Sequence, residues 1–462
     1  MNVPKIASAI LLAGIVVLLA GVATHAQKPA EVADATGRPL PADIYPESRQ
    51  RLPLPKRADM DADGQRIFDK LTAKSELPMG IEQPTIRLWD PGLAEHMAVT
   101  FHYLKYELGI PDRLLEIAVL TVARECDSQY EWTQWETHGR DPKDPRHIED
   151  SLINIIKYEK PLTGLGEKET AIIQFGRETF GRRRTTPETF ATVLRLLGRR
   201  GTVEMLWLMA AYSGDFAEMT AFDNQLRADQ LPLLPPIAHP RDPGRFMAAA
   251  ANPMPKDVYP DSRNRLPEPK REDMTDDFGR KAFDEATRGK TQPDGSPAPG
   301  FLPTGTVQVT ERLYAPKLAL SLAETSHYRK YEIKLDEKLM EIAILVTAYE
   351  MECQYEWTQW ERFGRNPKDP RHIDQSVIDI IKYNKPVLGL GERETAIIKF
   401  GRETFGDRKT SPETFAEIRR LFGNKGTIDL LELMAGYSAD AAELTAFDQQ
   451  LQVGQVPLLP AR

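Results

Sequence analysis

Two glutamates set inside apolar runs are the residues best suited to chemistry. Glu116 lies within Leu114–Ala123, apolar nearly all round at helical spacing, and Glu341 holds the matching place in a second such run. A carboxylate in that setting needs a partner, or desolvation raises its pKa toward the range used for general acid–base work near neutrality. Two readings stand: a proton-transfer group, or a structural carboxylate paired to a neighbour such as Arg124. Further on, each copy carries Gln-Tyr-Glu-Trp-Thr-Gln-Trp, with Glu131 and Glu356 at its centre. Ser128 and Glu131 have capping-box spacing, so Glu131 could simply close a helix start. In the second copy the cap position is Cys353, a poor cap, yet Glu356 is still present. Capping alone therefore does not account for the glutamate.

Other side chains in these segments have two readings each. Cys353 at a helix N-terminus would have a lowered pKa and react, or would serve as a small apolar residue. Cys126 aligns with Met351 and reads as structural. Tyr130, Trp132 and Trp135, with Tyr355, Trp357 and Trp360, could floor a pocket for an aromatic or lactone ligand, or fill the core. His102 in FHYLKYE and His327 in SHYRKYE could lend an imidazole from a neighbouring helix, or be ordinary packed or surface residues. His147 and His372, in PKDPRH, follow two prolines and read as loop or helix-start residues. There is no HExxH and no short-spaced His/carboxylate cluster, so neither a metal nor a cofactor is expected.

The elements that position these residues come from a duplication. Residues 116–148 and 341–373 are identical at 23 of 33 positions with a constant offset of 225. FGRETFG, PETFA and TAFD keep that register. Upstream, YPESRQRLPLPKRADM from Tyr45 matches YPDSRNRLPEPKREDM from Tyr259 at an offset of 214. The second copy thus carries a net eleven-residue insertion, placed in the Pro/Gly-rich stretch 288–305. Two units follow, 45–235 and 259–460. The stretch between them, 236–258, belongs to a proline-rich segment that reads as a semi-rigid linker.

Periodicity within a unit is helical throughout. Pro111-Asp112 opens one helix, Gly164-Leu165-Gly166 precedes another running from Glu167 to Phe180, and Thr186-Pro187-Glu188 is an N-cap signature. No useful strand alternation appears, so the fold class is all-α. Length (462 residues) fits two or three domains, and 28% charged residues fit a globular chain. A formal charge of −8 disfavours a general nucleic-acid binder, and two cysteines cannot build a disulfide scaffold or a Cys-based zinc site. Lys5, the apolar run 6–23 and Thr24-His25-Ala26 form a secretory signal pattern over residues 1–26. Export to a periplasmic or secreted location is expected, with an uncleaved anchor as the alternative and the only membrane contact.

Each unit resembles the carboxymuconolactone decarboxylase family, which includes the alkylhydroperoxidase-D-like proteins. The residues that carry the resemblance are the helix Glu116–Leu120 (Glu341–Leu345), the YEW motif, and the trailing FxRE and GxxE helices. It implies two tandem helical domains forming an intramolecular pseudo-dimer, with further association into a homo-oligomer. Peroxidase-type members carry Cys-x-x-Cys-x-x-x-His, served by a relay glutamate twelve residues before the first cysteine. That glutamate matches Glu116 and Glu341. The cysteine positions are Ser128 and Glu131 in one copy and Cys353 and Glu356 in the other, and the histidine position is Trp135 or Trp360. The dithiol is therefore absent, and so is the histidine that YEW-type members keep. The resemblance implies a small carbonyl- or lactone-type ligand and carboxylate acid–base chemistry, of lyase or peroxidase type, by Glu116, Glu131, Glu341 and Glu356, with Cys353 as a peroxidase variant. The alternative is a ligand-binding or scaffold protein that keeps the fold without the chemistry.

Overall fold

The computed structural model describes residues 33–34, 36–73, 84–235, 254–288 and 309–460. The expected signal segment, most of the expected linker and nearly all of the expected insertion lie outside them. The described residues are all-helical, with no strand beyond isolated bridges in the first arm. In the first half α1 spans Ala62–Thr72, α2 Pro84–Arg87, α3 Pro91–Tyr106, α4 Asp112–Glu125, α5 Gln129–Arg140, α6 Asp150–Lys157, α7 Glu167–Gly176 and α8 Pro187–Phe222. In the second, α9 spans Asp277–Arg288, α10 Pro316–His327, α11 Glu337–Glu350, α12 Gln354–Gly364, α13 Gln375–Lys382, α14 Glu392–Gly401 and α15 Pro412–Ala446. Among the described residues no helix is long and apolar enough to cross a membrane.

Local signals explain most of these boundaries. Thr186 accepts from the Thr189 backbone N–H at 3.3 Å, with Pro187 at the first helical position, and Ser411 does the same for Thr414 at 3.2 Å. Both long helices bend at a glycine with positive φ, Gly198 (70°) and Gly423 (68°), where a side chain would be strained. The expected helix from Glu167 to Phe180 runs to Gly176 and then widens into a π turn, Arg177–Gly181. Its partner α14 does the same over Arg402–Asp407.

Helices α4 and α11 are the centres of the two cores. From Leu114 to Glu125 and from Leu339 to Glu350 every residue is buried, so each helix is enclosed by the others of its half. Helices α8 and α15 make the most extensive helix pairing and join the halves. Edge-on rings seal the seam at Phe190–Phe447 (5.4 Å) and Phe222–Phe415 (5.7 Å). The proline-rich arms cross it: Arg51 donates to the Thr410 carbonyl and Arg265 to the Thr185 carbonyl, each at 2.9 Å.

Candidate functional site

Burial of α4 and α11 along their whole length decides the state of their glutamates. Glu116 and Glu341 are 0% exposed, and no hydrogen bond reaches either carboxyl oxygen of either residue. Arg124 is not the partner: it donates to the Pro235 carbonyl at 3.0 Å and pairs with Asp127. Burial pushes both carboxyls up to about 8; Arg146 and Arg371 oppose the shift, and Asp144 and Asp369 add to it. Room for these carboxyls comes from glycine. A Cβ at Gly139 would lie 3.0 Å from Glu116 Oε1, and one at Gly364 3.2 Å from Glu341 Oε1.

Glu131 and Glu356 sit in the first turns of α5 and α12, but not as caps. Ser128 and Cys353 make no side-chain cap bond. Instead the carboxylates accept from the indole N–H one turn on: Trp135 to Glu131 at 2.7 Å and Trp360 to Glu356 at 2.8 Å. Burial and the Asp215 charge push Glu131 up to about 7, against Lys105. Burial and Asp440 push Glu356 up to about 8, against the Trp360 bond and Lys330.

The aromatic residues separate into two groups. Trp132 and Trp357 are core: each indole donates to Glu136 or Glu361, whose oxygens are held at 3.0–3.1 Å by Lys157 or Lys382. Trp135 and Trp360 instead meet Tyr212 and Tyr437 edge-on at 5.3 Å, with Arg146 and Arg371 at 5.4 Å over the indoles. Tyr130 packs at the margin of the first core, and Tyr355 clusters with Cys353, Ala441, Leu444 and Leu451.

The imidazoles and thiols do other work. His102 Nε2 lies 3.7 Å from Glu107 and its ring packs on Tyr106, while the His327 ring packs on Tyr331. His147 and His372 lie in loops, each with Nδ1 on the carbonyl of the glycine that makes room for the glutamate, at 2.9 and 2.8 Å. Cys353 is buried, and burial with the Glu356 charge pushes its thiol up, the reverse of an activated helix-start cysteine. Burial also raises Cys126, whose Sγ is 3.7 Å from Ser213 Oγ. Native protein should accordingly leave Cys353 unlabelled by a maleimide at neutral pH until denaturant is added, as peptide mass spectrometry would read; rapid native labelling would contradict this placement.

Four further pairs complete the site, and sequence reasoning missed them: Lys105/Lys330, Arg146/Arg371, Tyr212/Tyr437 and Asp215/Asp440. All obey the offset of 225, the one signal that could have found them. The Tyr212 and Tyr437 hydroxyls are buried without a hydrogen-bond partner. Lys105 Nζ lies 5.7 Å over the Tyr212 ring and Lys330 Nζ 5.4 Å over that of Tyr437. Behind each site an arginine is buried among acids. Arg87, ending α2, pairs with Asp215, Glu218 and, across the seam, Glu432 at 3.2 Å. Arg312 pairs with Asp440 at 2.6 Å and with Glu443, and lies 4.5 Å over the ring of Trp207 from the first half, which donates to Glu443 at 2.9 Å. Trp207 and Glu432 are equivalent positions of the repeat. Between the halves lies a cavity of about 40 Å³, lined by Met97, Phe101, Asp215, Arg329 and Glu432 among others.

Each half thus gathers two raised carboxyls, a lysine, a tyrosine and an arginine around one tryptophan. Such a set can give and take protons near neutrality. Among the described residues no group of His, Cys, Asp and Glu converges as a metal site. Comparison of the chain with protein-family models, curated proteins and solved structures returns no match.

Proposed function

We propose that each half is a carboxymuconolactone-decarboxylase-like site that binds a small carbonyl- or lactone-type molecule in an exported protein and moves protons between its two carboxyls and the ligand. The observation that carries this reading is the duplicated pair of buried carboxyls, Glu116 with Glu131 and Glu341 with Glu356. With its carboxyl raised to about 8, Glu116 is largely protonated at pH 7 and can donate. Glu131, raised to about 7, is divided between its two forms and can accept. In the second half Glu341 and Glu356 are both raised to about 8, and carboxyls that burial holds near neutrality are the kind that general acid–base chemistry uses. Dithiol cycling has no residues to run on here, and the raised thiol of Cys353 gives the peroxidase variant little support.

The test is turnover of a panel of β-keto acids and γ-lactones by the full chain and by the Glu116→Gln/Glu341→Gln double variant. Loss of an oriented general acid–base group should lower the rate by about 10²–10⁴-fold. Turnover retained by the double variant would overturn the assignment. A specific observation favours the second reading, a binding or scaffold protein: the carboxyls of Glu116 and Glu341 are wholly enclosed. Saturable binding of a panel member without turnover in the unmodified protein would select it.

A further inference from the structure

Lys105 and Lys330 take no part in the proton transfer proposed above, yet they are placed as nucleophiles. Among the described residues neither amine has a carboxylate within ion-pair distance, although most lysines and arginines near the seam do. Each is held instead over aromatic rings: Lys105 over Tyr212, and Lys330 over both Tyr437 (5.4 Å) and Trp360 (5.7 Å). Lys105 is an exposed residue whose amine end is the enclosed part, within reach of the Asp215, Glu131, Arg87 and Arg146 charges. Beside it, the Tyr212 hydroxyl, 2% exposed as a residue, has no hydrogen-bond partner, and the same holds for Tyr437 at 4%. A buried phenol without a partner costs stability unless something it meets repays the loss.

We propose that Lys105 and Lys330 condense with a small ketone or aldehyde, forming an imine over the Tyr212 or Tyr437 ring. This rests on the reading that the site takes a carbonyl compound. The surroundings favour the neutral amine that such a step needs. Burial pushes Lys105 down; Asp215 and Glu131 oppose the shift, and Arg87 and Arg146 reinforce it. Lys330 has the matching set, Asp440 and Glu356 against Arg312 and Arg371.

The amine lone pair attacks the carbonyl carbon, and the C=O pair moves to oxygen, which takes a proton from a site carboxyl. The resulting carbinolamine passes a nitrogen proton to a carboxylate, and its hydroxyl leaves as water with a proton from a site carboxyl, leaving the protonated imine. With a β-keto acid, the C–CO2 bond then breaks, its electron pair enters the protonated imine to give an enamine, and CO2 leaves. Protonation of the enamine carbon and addition of water release the ketone and restore the amine.

The experiment incubates the full chain with acetoacetate and sodium borohydride, followed by intact-mass and peptide mapping. Reduced adducts, at most two per chain and confined to Lys105 and Lys330, are expected. They should be lost in Lys105→Arg/Lys330→Arg, which keeps a long nitrogen-bearing side chain over the rings but removes the nucleophilic amine. No adduct, or adducts spread evenly over exposed lysines and unchanged in the double variant, would overturn the proposal. The two readings fail separately. Trapping at both lysines with turnover unaffected by Glu116→Gln/Glu341→Gln would remove the carboxyl assignment and leave the imine. Glutamate-dependent turnover with no trapping would do the reverse.

Discussion

Replacing Arg87 with alanine should lower the free energy of unfolding by about 3–5 kcal/mol, the cost of taking one partner from a buried charge cluster. Asp215, Glu218 and Glu432 are all buried or nearly so, and Arg87 pairs with each of them. Glu432 would keep Arg329 at 3.0 Å, so the loss falls on Asp215 and Glu218. Burial already pushes Glu218 well above the ordinary carboxyl range, with the Glu432 and Asp215 charges adding and Arg87 holding it down. Without the guanidinium these groups escape by taking up protons. The deficit should therefore be smaller at pH 5.5 than at pH 8, as urea unfolding at the two values would read. Arg87→Lys, which keeps the charge and loses the planar fork, should fall between. A deficit under about 1 kcal/mol at both pH values would show that the cluster holds no uncompensated charge.

Stability should also decline as pH rises from about 5 to 8, by several kcal/mol. In the folded chain Glu116, Glu125, Glu341 and Glu356 are raised to about 8 and Glu131 to about 7, in every case chiefly by burial. Unfolded, the same groups titrate near the ordinary glutamate value of about 4.3. Below that value both states are protonated and the full contribution of the neutral buried form is present. As pH rises, the unfolded chain loses its protons first and gains stability relative to the folded one. The contribution is gone once the folded groups ionise near pH 8. Each tenfold difference in proton affinity is worth about 1.4 kcal/mol, so a few such groups dominate the profile. Melting midpoints should fall across this window, and Glu116→Gln/Glu341→Gln should flatten the fall. A profile that is level or rises from pH 5 to 8 would contradict a protonated pair in the core.

Much of this was legible in the residues themselves. The near-continuous apolar run around Glu116 identifies α4 as a buried helix, and Thr186-Pro187 marks the start of α8. Both follow from local chemistry that one window of sequence contains. The capping-box reading of Ser128 and Glu131 had the right spacing but the wrong outcome, because Trp135 one turn on offers Glu131 a buried N–H. Spacing specifies which groups are near; it does not say which bond wins. Lys105, Arg146, Tyr212 and Asp215 escaped for another reason. They reach Glu131 and Trp135 from α3, a loop and α8, and their convergence is a property of helix packing that no single periodicity encodes.

The unlike pair Trp207 and Glu432 has a consequence for how this chain could evolve. Two identical subunits facing each other across a two-fold axis must present the same residue at both symmetric positions. Fusing the copies into one chain lifts that requirement, and these positions use the freedom: an indole lies against Arg312 on one side, a carboxylate pairs with Arg87 on the other. A chain made of two first halves would set tryptophan at both places, and one made of two second halves would set a third acid in both clusters. Each half has become the other's counterpart rather than its duplicate, so two copies of either half alone would not reproduce this seam.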